Sequence, residues 1–235
     1  EDQFPLLAEA CMDDGPETDF VFLESGDDED DYFYAYMCWF EDLGVQLPFD
    51  DFQMGVLRVL NVAPSQLHPN AWAAMQAFRN LCLCLGLTPQ PLAFLYYYTS
   101  RPSKPAKWVS LSRVPKRGFL RAFTSSYKGF KDGFFKVRWG SEMKNCFYDR
   151  EGEPLFPFYW TKRPTRYEAM SASKLPAEDK EIVDLLDQLP KGLPVRGLLD
   201  IFEMSHFETA LLGMRSRIRL LNQFKLMLRF TSLQV

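Results

Sequence analysis

No Lys or Arg appears before Arg58, although seventeen Asp and Glu residues fall in that stretch. From Arg58 onward the chain carries 27 basic against 14 acidic groups, so the net charge of -4 conceals an acidic start and a basic body. Such asymmetry points to an acidic segment, an interaction surface or contact with a polyanion. Histidine is almost missing. Only His68 and His206 occur, and neither has an acid or nucleophile at a recognisable catalytic spacing. His68 lies in a proline-bounded turn, where a side chain bonded to backbone is the expected role. The sequence lacks Gly-x-Ser-x-Gly, Gly-x-x-x-x-Gly-Lys, Gly-x-Gly-x-x-Gly and His-Glu-x-x-His. The ordinary hydrolase, nucleotide-binding and zinc-protease arrangements lose their support with them. No catalytic residue, metal ligand or cofactor is expected.

Long hydrophobic runs are missing too. Nothing approaches eighteen uninterrupted apolar residues, so no membrane span is expected, and the opening residues lack the basic-then-apolar order of a secretory signal. The chain starts at Glu1 rather than Met, which points to a fragment or an incomplete gene model. Five cysteines form an odd set without a framework spacing, which predicts reduced thiols and an intracellular location, nucleus and cytoplasm being indistinguishable. Cys82 and Cys84 stand two apart on a predicted helix and point about 200° from one another. They are expected to pack rather than to share an ion.

What is abundant is core material. Hydrophobic residues make up 47% of the chain and aromatics 15%, with 21 Phe, enough for a buried core in a chain of 235 residues. Residues 1–30, ending in a run of Asp and Glu, read as a disordered acidic leader. A dense apolar run predicts a helix over 33–43, with Asp30 and Asp31 as caps and Gly44 as its stop. A second helix is predicted over 51–62, capped by Asp50 or Asp51, with Phe52, Val56, Val59 and Leu60 on one face. A third follows a proline-bounded turn, with Asn70 as its cap. In it Trp72, Met75, Phe78, Leu81, Cys82 and Leu85 recur at helical spacing and Gly86 sits at the left-handed end.

From Pro102 the pattern changes to short strands, predicted over 107–111, 134–139, 146–148 and 155–160, the last two flanking a loop of hairpin length. Helices return after Pro176 and Pro194. Residues 207–230 form a basic amphipathic pattern, read as a helix docked on its own domain, as the start of a coiled coil, or as a misread gene end. The expected fold class is α+β: N-terminal helices, then a small antiparallel sheet, then C-terminal helices, in a single main domain over 31–203 with a basic helical tail over 204–235.

The densest positive charge lies in 101–138, where eleven basic residues face one acid, Asp132, with aromatics interleaved. Cations along a groove with aromatic platforms are the elements of sequence-tolerant single-strand binding. Strand alternation alone also yields such a pattern over 135–139. On the binding reading, Lys104, Lys107, Arg113, Lys116, Arg117, Arg121, Lys128 and Lys131 contact phosphates, and Trp108 or Tyr127 stacks on bases. The acidic leader, tethered to the same chain, would compete for that face.

Several ordered stretches are familiar: Phe40-Glu-Asp-Leu-Gly-Val-Gln-Leu-Pro-Phe49, Leu60-Asn-Val-Ala-Pro-Ser-Gln-Leu-His-Pro-Asn-Ala-Trp72, Trp108-Val-Ser-Leu111, Ser125-Ser-Tyr-Lys-Gly-Phe-Lys131 and Phe156-Pro-Phe-Tyr-Trp-Thr161. Together they resemble the plant gypsy-type transposon family of long-terminal-repeat retrotransposons, over roughly 33–202. The resemblance implies a non-enzymatic, gag-like structural or nucleic-acid-associated role. RNA or DNA, and a second copy met through the C-terminal helix, are the expected partners. The zinc knuckle Cys-x-x-Cys-x-x-x-x-His-x-x-x-x-Cys of gag proteins is missing. Alternatives are a transposase or nuclease-type strand-transfer enzyme, which the family's name implies, and a degenerate element protein without retained activity.

Overall fold

The computed structural model describes residues 8–9, 31–103, 108–121, 130, 133–139, 144 and 146–204, the side chains of 8–9 and 200–204 excepted. The predicted tail over 207–230, His206, Cys11 and all of the acidic leader except two residues lie outside this set. The α+β class is observed, with helices and small antiparallel sheets.

The elements in chain order are β1 (Ala8–Glu9), β2 (Tyr32–Tyr36), α1 (Met37–Glu41), α2 (Asp51–Leu60), α3 (Pro69–Cys84), α4 (Pro91–Leu95), β3 (Tyr98–Pro102), β4 (Val109–Arg113), β5 (Phe134–Arg138), α5 (Ala177–Leu186) and α6 (Val195–Met204). A three-stranded antiparallel sheet runs β1-β5-β2, with Phe33 opposite Val137 and Glu9 opposite Lys136. Strands β3 and β4 form a second, two-stranded sheet. The chain divides into two compact units. The first comprises Glu1–Trp72, Ser100–Ser112 and Ser125–Glu168, and the second Ala73–Thr99, Arg113–Thr124 and Ala169–Val235.

Four local expectations are corrected. The predicted helix over 33–43 is a strand followed by a single helical turn, β2 then α1. Asp31 does not cap it: its carboxylate accepts hydrogen bonds from the Tyr148 and Tyr159 hydroxyls. The predicted strands over 146–148 and 155–160 reduce to one antiparallel bridge, Tyr148 to Pro154. Its loop is folded by the Asp149 carboxylate, which accepts from the Glu151 and Glu153 amides, with Gly152 at φ 84. Finally, α3 starts at Pro69, so Asn70 lies inside it. His68 does the capping, its Nδ1 accepting from the Asn70 N–H at 3.1 Å.

Other expectations hold. Asp50 caps α2 in a reciprocal box with Gln53. Gly86, at φ 67, ends α3 with the Leu87 amide on the Cys82 carbonyl and the Gly86 amide on the Leu83 carbonyl, a Schellman closure. Cys82 is buried, as expected of a packing residue, and burial beside Asp42 pushes the half-buried Cys38 thiol up to about 12.

In the first unit the core is aromatic. Phe33 lies 5.3 Å from Phe49, 5.6 Å from Phe156 and 5.8 Å from Phe147, and Trp39 lies 4.6 Å from Trp72. Ring pairs at these offsets add about 0.5–1.5 kcal/mol each beyond area burial. The buried amide of Gln66 fastens the segment 161–167 to this core. Its Nε2 donates to the Thr161 carbonyl and its Oε1 accepts from the Thr161 amide, each at 3.0 Å. Trp160 Nε1 donates to Ser65 Oγ at 2.9 Å.

In the second unit, Phe78 of α3 lies 5.3 Å from Phe94, and Tyr97 meets Phe119 edge-on at 4.6 Å. Helix α4 packs on α5, where buried Asp179 accepts from the Ala93 amide at 2.7 Å.

Candidate nucleic-acid interface

Among the predicted contact residues, Arg113, Lys116, Arg117 and Arg121 fall in one connection of the second unit, residues 113–121, which contains no acid. This connection is built from a turn. The Arg117 amide donates to the Val114 carbonyl at 3.3 Å, with Pro115 second and Lys116 third in the turn. Proline fixes φ near -65° at that second place. Lys116 has φ 68, the left-handed backbone that a type II turn demands of its third residue and that Gly or Asn ordinarily supplies. A residue with a Cβ there costs about 1–2 kcal/mol. The turn thus holds an exposed lysine where glycine would be easier.

Two guanidinium groups hold this turn in place. Arg117 Nη1 donates to the Met170 carbonyl at 2.7 Å and the Tyr96 carbonyl at 3.2 Å, and its carbon lies 4.3 Å above the Tyr96 ring. Arg113 Nη1 donates to the Leu120 carbonyl at 3.1 Å. Beyond the turn, buried Phe119 accepts from the Leu193 amide at 2.8 Å, and the Arg121 amide donates to the Leu193 carbonyl at 2.7 Å. The four cations therefore play two parts: Arg113 and Arg117 shape the connection, whereas Lys116 and Arg121 extend exposed heads with no ion pair among the described residues.

Trp108 belongs to the first unit. Its half-buried ring stacks on Tyr36 at 6.0 Å and meets Phe130 and Trp160 edge-on at 5.4 and 5.0 Å. Tyr36 thus occupies one face of the Trp108 ring. Lys104, Lys107, Tyr127, Lys128 and Lys131 lie outside the described residues. Over 135–139 the predicted alternation is blurred, because Phe134 and Val137 are buried and Lys136 lies 3.7 Å over the Tyr32 ring.

No group of His, Cys, Asp and Glu among the described residues has an arrangement able to hold a metal ion, and no described helix is long and apolar enough to cross a membrane. Helices and small antiparallel sheets make this an α+β scaffold, and two carbonyl-directed guanidinium groups anchor the basic turn it displays. Residues 36–102 match the family model described as "Putative gypsy type transposon", so the resemblance read from the motifs holds over that segment. The matched stretch covers less than half of the chain and ends before the basic connection at 113–121. No curated protein and no solved structure matches the chain.

Proposed function

We propose that this transposon-related chain is a non-enzymatic, gag-like protein that binds nucleic acid through the connection 113–121. The observation that supports this reading is the exposed pair Lys116 and Arg121 on an acid-free connection, with Lys116 kept in a strained backbone. A strained backbone at an exposed turn residue favours a contact role for its side chain over a folding role. The phosphate backbone is the partner that rewards separate, solvated cations without asking for base recognition.

The test is salt dependence in the full chain. Replacing Lys116→Gly and Arg121→Gln together removes two cations while relieving the turn, so the melting temperature should not fall. The slope of log K against log salt should flatten by about 0.7 per lost contact on a single strand and about 0.9 on a duplex. An unchanged slope in a folded variant would refute the site.

A further inference from the structure

The first unit carries another concentration of positive charge, assembled from three distant parts of the sequence. The segment 161–167 is tied across the end of α2. Thr161 Oγ1 donates to the Asn61 carbonyl at 2.6 Å, Asn61 Nδ2 to the Arg163 carbonyl at 3.1 Å, and the Thr165 amide to the Leu60 carbonyl at 2.8 Å. On its other side it is tied to β3. Ser100 Oγ donates to the Thr165 carbonyl at 2.7 Å, and the Ser100 amide to the Tyr167 carbonyl at 3.0 Å.

These bonds set the backbone of the segment carrying Lys162, Arg163 and Arg166 against Leu60 and Asn61, just after Arg58 of α2, and against Ser100, just before Arg101 of β3. All five side chains are exposed. None forms an ion pair or a side-chain hydrogen bond among the described residues. Within 58–63, 100–103 and 161–168 the single acid is Glu168. The negative end of α2 accounts for one neighbouring cation, Arg58 in its last turn. It does not account for five. Like charges gathered by backbone bonding repel one another and weaken the fold unless a polyanion meets them.

We propose that this strap over α2 is a second contact surface for the phosphate backbone of nucleic acid, formed within the first unit alone. It rests on the nucleic-acid reading for its ligand class but not for its location. No aromatic face or base-reading group is required, so the contact is tolerant of sequence.

The experiment uses the full chain, a fluorescein-labelled oligothymidylate and fluorescence anisotropy across a salt series. Three proteins are compared: the parent, Lys162→Gln/Arg163→Gln/Arg166→Gln, and Lys116→Gly/Arg121→Gln. Because the strap side chains are exposed, bonded to nothing described and mutually repulsive, the triple variant should melt no lower than the parent. Its slope should be shallower by about 2, from about 0.7 for each of three contacts. A parent-like slope in the triple variant overturns the strap. A change in the triple variant with none in the double variant supports the strap and removes the connection 113–121. If the triple variant loses binding to anionic phospholipid vesicles but not to the oligonucleotide, the nucleic-acid assignment is overturned.

Discussion

Asp179 offers the sharpest test of how the second unit is held. It lies in the first turn of α5, is 6% exposed, and accepts the Ala93 amide of α4 at 2.7 Å. Ala93 is buried and lies in the first turn of α4, where an amide has no partner within the helix. Asp179→Ala should strand that donor at a cost of about 1–3 kcal/mol. Asp179→Asn keeps an oxygen in place and sheds the burial cost of a charge, so it should lose about 1 kcal/mol or less. Urea denaturation should show the alanine variant's midpoint falling with m unchanged. A loss of about 2 kcal/mol corresponds to about 4–8 °C in melting temperature.

The acid–base behaviour of the same group gives a second readout. Burial raises the Asp179 carboxyl above its ordinary 3.8, against the opposing hydrogen bond from Ala93. In the window above 3.8 the native state therefore holds more protons than the unfolded chain. Stability from this group falls as pH rises through that window, and Asp179→Asn should remove the dependence. Equal losses for the alanine and asparagine variants would refute the hydrogen-bond argument. So would an alanine variant indistinguishable from the parent.

Asp50→Ala opens the capping box in which Asp50 Oδ1 accepts the Gln53 amide at 2.9 Å and Gln53 Oε1 accepts the Asp50 amide at 3.0 Å; chemical denaturation should show a loss of about 1 kcal/mol. Burial lowers His68 below its ordinary 6.5, and its Nδ1 must stay unprotonated to accept the Asn70 amide. As pH falls below 6.5 the unfolded chain takes up a proton first, so stability should decline on acidification. His68→Asn keeps an acceptor and should flatten that decline, whereas an unaltered pH profile would show that His68 does not cap α3.

Helices with an apolar period or a proline at their start were legible in the sequence: α2, α3, α5 and α6 begin close to where they were predicted. Strand β2 was not. Tyr32, Phe33, Ala35 and Tyr36 are all buried, so both faces of the strand are apolar and no two-residue alternation remains to distinguish it from a helix. The strands predicted over 146–148 and 155–160 failed for another reason. Asp149 satisfies the loop amides with its own carboxylate, and prolines at 154 and 157 withhold ladder donors, so pairing stops at a single bridge. His68 was read correctly as bonded to backbone, but the proline at the first helical position moved the cap from Asn70 to His68.

The candidate sites divide along the same line. A window of contiguous charge finds 113–121, because its cations are neighbours in sequence. It cannot find the strap, whose basic residues come from three distant parts of the sequence joined by hydrogen bonds that Leu60, Asn61, Gln66 and Ser100 make to the segment 161–167. Those bonds depend in turn on motifs that carried the family resemblance. Ser65 and Gln66 of one familiar stretch hold Trp160 and Thr161 of another. Such motifs therefore report the packing that positions a surface rather than the surface itself. The cations they position carry no such signature in a single sequence, since an exposed Lys or Arg packs against nothing that fixes its identity. Mutating Gln66 should consequently loosen the strap and weaken the fold together, whereas mutating Lys162, Arg163 and Arg166 isolates the charge.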